Sequence, residues 1–126
     1  MAGVIVDTSA WIDYFRGRDS RERAMVRRLI QSGEAVIVGI VYAELLRETR
    51  SESEVSNLEA DLDALPFLDT DRNSWKQTGE LMSELQKQGN AIPFQDAVIA
   101  ALALQHDMPV LTRDQHFSRV DGVNLY

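Results

Sequence analysis

Asp7, Glu44, Asp96 and Asp114 are four acids in places where a carboxylate needs a reason. Asp7 directly follows the apolar run Gly3 to Val6. Glu44 is the single charge in the stretch Ala35 to Leu46. Asp96 opens the most apolar segment of the chain, and Asp114 lies just past Pro109 to Leu111. Carboxylates gathered within a few ångströms raise one another's pKa, and a divalent cation removes that cost. An all-oxygen donor set selects a hard ion, Mg²⁺ or Mn²⁺. With no histidine base and no serine or cysteine nucleophile in view, such a site points to hydrolysis of a phosphodiester by metal-activated water.

Each acid also has a structural explanation. Asp7 and Asp96 are suited to cap helices, a role worth about 1 kcal/mol each, and Asp114 suits a turn. Glu44 resists this treatment, because a carboxylate beside a core must be paired, protonated or metal-bound. Its best pairing partners, Arg47 and Arg50, could equally face solvent.

The elements that must position these groups alternate. Gly3 to Val6 reads as a buried strand, followed by three possible capping residues, Asp7, Thr8 and Ser9, and an aromatic-rich helix from Ala10 to Phe15. Ser20 to Ile30 reads as a helix with Ala24, Met25, Leu29 and Ile30 inward. Ala35 to Val38 is a second strand, and a helix runs from Ile40 to about Arg47. An acidic helix over Ser51 to Leu65 leads to the minimal strand Phe67-Leu68. Asp71 to Gln88 is a long helix with Trp75, Thr78, Leu81, Met82 and Leu85 on its buried side. The helix Phe94 to Gln105 is apolar nearly all round and belongs between layers. Pro109 to Leu111 is a further strand, and Val123 to Tyr126 suits an edge strand.

Strands that read as continuous apolar runs between helices predict a mainly parallel sheet of four to five strands with helices on both faces, an α/β chain. Such a sheet brings Asp7, Asp114 and the start of the Asp96 helix to its carboxyl edge, where chemistry gathers. Glu44 enters from the helix after the second strand.

The 126 residues suit one domain spanning 1–126, and 44% apolar with 26% charged residues excludes wholesale disorder. No run approaches the roughly 18 apolar residues of a membrane span, so no membrane role and a cytoplasmic location are expected. The absence of cysteine excludes thiolate metal sites and thiol nucleophiles. A net charge of −7 argues against tight non-specific nucleic-acid binding. The charge is uneven, however. Six of the 13 basic residues fall between Arg16 and Arg28, and between Glu48 and Asp71 there are eight acids and one base. The arginine-rich segment is either a solvated helix face or a surface for a nucleic-acid backbone.

Four segments together carry a resemblance. Val4-Ile5-Val6-Asp7-Thr8-Ser9-Ala10-Trp11-Ile12, Val41-Tyr42-Ala43-Glu44-Leu45-Leu46, Asp96-Ala97-Val98-Ile99-Ala100-Ala101 and Val110-Leu111-Thr112-Arg113-Asp114-Gln115-His116-Phe117 are similar, in order and spacing, to the motifs of PIN-domain ribonucleases. The chain specifically resembles the VapC-type toxins of prokaryotic toxin–antitoxin pairs. Each motif alone is weak, whereas four in register over the whole chain are specific.

The resemblance implies a PIN-like three-layer α/β/α fold and a Mg²⁺-dependent endoribonuclease leaving 5′-phosphate and 3′-hydroxyl ends. It implies that Asp7, Glu44, Asp96 and Asp114 hold the metal and carry catalysis, with Thr8, Ser9 and Thr112 supporting them by hydrogen bonds. For Thr8 and Ser9 the alternative is helix capping, and for Thr112 strand-end packing. It further implies a homodimer and a cognate antitoxin laid over the active-site side. Arg16, Arg18 and Arg113 are candidates for holding the RNA backbone, with salt-sensitive affinity. The chain departs from many relatives where they carry a further acid, two or three residues after the last of the four. Here His116 and Phe117 stand instead, which leaves one tightly held ion as the expectation and His116 as a solvent-exposed turn residue or a phosphate contact.

Three other readings are weaker. Asp69, Asp71, Asn73 and Glu80 match calcium-loop positions, but Ser74 stands where that loop needs glycine, and Asp71 as a helix cap explains the segment better. A phosphoacceptor receiver domain needs an adjacent acid pair after the first strand and a lysine after a late one. This chain has Asp7-Thr8 and Thr112-Arg113 there. A binding module that has lost catalysis sits poorly with an intact set of four acids. Trp11, Tyr14 and Phe15 suit base stacking, a partner groove or core packing.

Overall fold

The computed structural model describes residues 3–126. In chain order the elements are β1 (Val4–Val6), α1 (Thr8–Phe15), α2 (Arg21–Ser32), β2 (Ala35–Val38), α3 (Gly39–Arg47), α4 (Glu52–Asp63), β3 (Phe67–Leu68), α5 (Arg72–Lys87), α6 (Phe94–His106) and β4 (Val110–Leu111), with a 3₁₀ turn over Gln115–Arg119. The sheet order is β3-β2-β1-β4, and every pairing is parallel. Six helices flank it in a three-layer α/β/α arrangement. No helix among the described residues is long and apolar enough to cross a membrane.

Burial explains the strand composition. All residues of β1 and β2 are buried, so both faces of these strands must be apolar. α6 is buried from Asp96 through Ala103 and fills the space between layers with small side chains. The chain moves from β1 outward to β2 and β3, then returns to the opposite side of β1 as β4. That reversal opens a crevice at the carboxyl ends of β1 and β4, the usual place for a site in such a sheet.

Four expectations from the sequence are corrected. Val123 to Tyr126 is not a strand: it makes a single parallel bridge, Val110 with Leu125, and Leu125 and Tyr126 stay exposed. With one exposed face, the segment gains too little burial to extend the ladder. Trp75 is 47% exposed and lies parallel to the equally exposed Phe94, their ring centres 6.3 Å apart. The rest of the expected line holds, with Thr78 and Leu85 buried and Leu81 and Met82 packed partly buried on the core, and Ser74 is buried beside it. In α2 the buried position is Val26, one helical turn before buried Leu29, and Ala24 faces solvent. Finally, Leu104 is exposed, so the apolar collar of α6 ends one residue sooner than its sequence suggests.

Candidate metal centre

Asp7 is fixed before any ligand arrives. As N-cap of α1 it accepts the Thr8 amide on Oδ1 at 2.7 Å. Its Oδ2 accepts the Thr112 hydroxyl at 2.7 Å and the Ser9 hydroxyl at 3.1 Å. Its own amide donates to Leu111 of β4 at 2.9 Å, so the residue belongs to the ladder as well as to the helix. Asp7 is thus the helix cap, and Thr8, Ser9 and Thr112 hold its carboxylate by hydrogen bonds.

Glu44 projects from α3, one helix beyond β2, and its Oε1 accepts the Thr8 hydroxyl at 2.9 Å. Neither Arg47 nor Arg50 pairs with it; Arg47 lies 3.8 Å from Glu48 instead. Asp96 stands in the first turn of α6 and is buried, while Asp114 caps the 3₁₀ turn by accepting the His116 amide at 3.0 Å. The Asp114 amide in turn donates to the Thr112 hydroxyl at 2.9 Å. Asp7, Glu44, Asp96 and Asp114, with Thr8 and Ser9, line one cleft.

His116 is where the sequence misleads most. It is a half-buried member of the cluster, not a solvent-exposed turn residue. Its Nδ1 lies 2.7 Å from Asp96 Oδ2 and 2.8 Å from Asp114 Oδ1. Asp96, Asp114 and His116 each offer a ligand atom, all within 4.8 Å of one another.

The electrostatics fit a cation. Burial pushes the Asp96 carboxyl up to about 6, and the charges of Asp7 and Asp114 add to that, against the opposing hydrogen bond and charge of His116. Asp7 is also raised, chiefly by burial and in small part by Asp114, although Thr112, Thr8 and Ser9 oppose the shift with hydrogen bonds. Hydroxyl and amide donors already serve the outer lone pairs of Asp7, yet these do not cancel the cost of the charge. A hard divalent ion among oxygen donors would.

The three arginines named for the RNA backbone differ in their partners. Arg113 places Nη1 at 2.9 and 3.1 Å from the two carboxylate oxygens of Asp13, and Arg18 reaches the same carboxylate at 3.5 Å. Asp13 is only 1% exposed and had no place in the sequence reading. Arg16 is exposed and has no ion-pair partner among the described residues. Of the α1 aromatics, Trp11 is core, and Phe15 stacks on it while lining an outer groove.

Comparison with known proteins is consistent across the chain. The family model described as PIN domain matches residues 4–123. The chain is 29% identical over 119 residues to the VapC ribonuclease Mb1587 of Mycobacterium bovis, covering 90% of this chain and 88% of that protein. With ribonuclease VapC5 of Mycobacterium tuberculosis it shares 29% over 124 residues, 96% of this chain and 90% of the other. The fold is similar to that of DNA-bound VapBC from Salmonella typhimurium, with a TM-score of 0.86, 22% identity and coverage of 100% and 98%. It is also similar to VapC20 of Mycobacterium tuberculosis, described as a sarcin–ricin loop cleaving toxin, with a TM-score of 0.69, 18% identity and 98% of each chain covered.

Proposed function

We propose, on the premise that this chain belongs to the PIN domain family, that it is a metal-dependent endoribonuclease and the toxin of a toxin–antitoxin pair, acting in the cytoplasm as a homodimer. The observation that carries this reading is the convergence of Asp7, Glu44, Asp96 and Asp114 on one cleft at the sheet's carboxyl edge. These four residues would hold Mg²⁺, or Mn²⁺, both of which favour oxygen ligands. When bound, such an ion offsets charge on a scissile phosphate and makes water acidic enough to attack it.

The chain's own residues do the rest. Thr112, Ser9 and the Thr8 amide hold both oxygens of Asp7, so that this carboxylate is oriented before binding. Thr8 aims Glu44 into the cleft from a separate helix. His116 stands with Nδ1 between Asp96 and Asp114 where many relatives carry a further acid, and an imidazole ring there in place of a carboxylate supports a single ion per site. With Arg18 and Arg113 engaged by Asp13, the RNA-backbone contact is assigned first to Arg16.

A groove between α1, α3 and α4 supports the partner reading. Ile12, Phe15, Leu45 and Leu58 give it an apolar floor, and Glu48 and Asp61 stand on its walls. Ile12 also lines the carboxylate cleft, so a segment seated in the groove runs toward the acids. Its chemistry fits an amphipathic antitoxin segment with basic side chains, one of which would compete with the metal.

The test is cleavage of a structured RNA pool by purified protein in Mg²⁺ or Mn²⁺, beside Asp7→Asn and an EDTA control. Cleavage lost in both controls supports the assignment. Cleavage that survives Asp7→Asn overturns it, and RNA binding without cleavage favours a module that has lost catalysis.

A further inference from the structure

Asp13 lies outside the carboxylate cleft and is almost completely buried. Its partner Arg113 comes from 100 residues further along the chain, and the contact is bifurcated, the single nitrogen Nη1 meeting both carboxylate oxygens. Arg113 is held at three points. Its amide donates to Ser9 at 3.0 Å, its Nη1 meets Asp13, and its Nε lies 3.5 Å from Glu22 of α2. Ser9 and Asp13 are one turn apart on α1, so a single helix face grips both the backbone and the side chain of this residue.

Arg113 is also flanked by the two groups that the cleft needs from this loop. Thr112 bonds Asp7, and Asp114 is one of the four acids. Asp114 itself is held through Thr112, the His116 amide and the His116 ring, whose Nδ1 also meets Asp96, and its side chain is about a third exposed. The grip on Arg113 therefore fixes the loop relative to α1 together with the Thr112 bond to Asp7.

An ion pair whose cation is half exposed adds little stability of its own, because solvent screens it. It does impose direction, since one planar guanidinium that meets Asp13 through Nη1 and Glu22 through Nε can stand in few orientations. We propose that Asp13 is a positioning residue for Asp114, acting through Arg113 to set how well the cleft binds a divalent cation. The inference rests on the metal-site reading above.

The test measures Mn²⁺ affinity by calorimetry alongside thermal unfolding for wild type, Asp13→Asn, Arg113→Lys and the double variant. Arg113→Lys keeps the charge but cannot meet Asp13 and Glu22 together, and its half-exposed site lets it fold even if Asp13→Asn does not. The expected result is folded protein binding Mn²⁺ about 10- to 100-fold more weakly in each single variant, with little further loss in the double. Lowered melting temperature with wild-type Mn²⁺ affinity overturns the inference and leaves a purely structural pair. Wild type that binds no Mn²⁺ overturns the metal-site reading and the inference with it. Wild-type binding that persists in folded Arg113→Lys removes the inference alone.

Discussion

The hydroxyl of Thr112 donates to Oδ2 of Asp7 at 2.7 Å, joining positions 105 residues apart that lie just past the ends of neighbouring parallel strands. The Thr112 hydroxyl oxygen in turn accepts the Asp114 amide, so one hydroxyl serves two of the four acids. Thr112→Val keeps the shape and removes both bonds. Leaving these partners unserved is expected to destabilise the fold by about 1–3 kcal/mol. It also removes the hydrogen bond that most opposes the raised Asp7 pKa, so protons compete better with metal. Cleavage rate and Mn²⁺ affinity should fall about 10- to 100-fold, and Thr112→Ser should restore most of both. Wild-type values in Thr112→Val would falsify this role.

Asp96 sets a pH dependence whose sign can be worked out. Its carboxyl titrates at about 6 in the metal-free folded state, against 3.8 when unperturbed. Between those values the folded state holds a proton that the unfolded state has released, so this group's contribution to stability falls as pH climbs through the window. Above pH 6 the metal-free protein carries the full cost of the buried charge. Metal-free Asp96→Asn should therefore melt higher than metal-free wild type at pH 7.5, and the gap should close toward pH 4. Mg²⁺ should raise the melting temperature of wild type at pH 7.5 and leave the variant where it is. Mg²⁺ affinity should decline below pH 6, approaching about tenfold per unit, because the ion needs the deprotonated carboxylate. A calorimetric series from pH 5 to 8 that stays flat removes Asp96 from the metal centre.

What the sequence revealed and what it hid have a common cause. Asp7, Asp96 and Asp114 were legible because each adjoins an apolar run, and Glu44 because it is a lone charge within one. Asp13 was not, because in the short helix of Trp11 to Phe15 a charge reads as the solvent face, and its partner is 100 residues away. His116 was hidden in the same way: it sits in a polar turn, and only the return of β4 beside β1 brings that turn against Asp96. The order of elements followed from alternating periodicities. The last segment did not, since a pairing of so few residues is decided by what covers it and not by its own composition.

His116 makes ion stoichiometry a sharp test. A nitrogen 2.7 Å from Asp96 and 2.8 Å from Asp114 occupies the volume between these carboxylates. Calorimetry with Mn²⁺ should give a single ion for each wild-type chain. His116→Asp puts a shorter, anionic oxygen donor at that position and should admit a second ion, with the first bound at least as tightly. Two ions in wild type would contradict the single-ion reading.

The outer groove yields a prediction that separates partner binding from chemistry. Its walls carry Glu48 and Asp61, both exposed, over an apolar floor that includes Leu45 and Leu58. Neither acid touches the four carboxylates or the hydroxyls that hold them. Replacing both with lysine changes surface positions and should move stability by no more than about 0.5 kcal/mol for each. RNA cleavage should stay intact. Binding of a basic antitoxin segment should weaken, mainly through its association rate, and the difference from wild type should shrink as salt is raised. The measurement pairs a cleavage assay with binding kinetics for the antitoxin at two ionic strengths. Unchanged kinetics at low salt would move the partner's seat elsewhere, whereas lost cleavage would mean that the groove and the cleft are one functional surface.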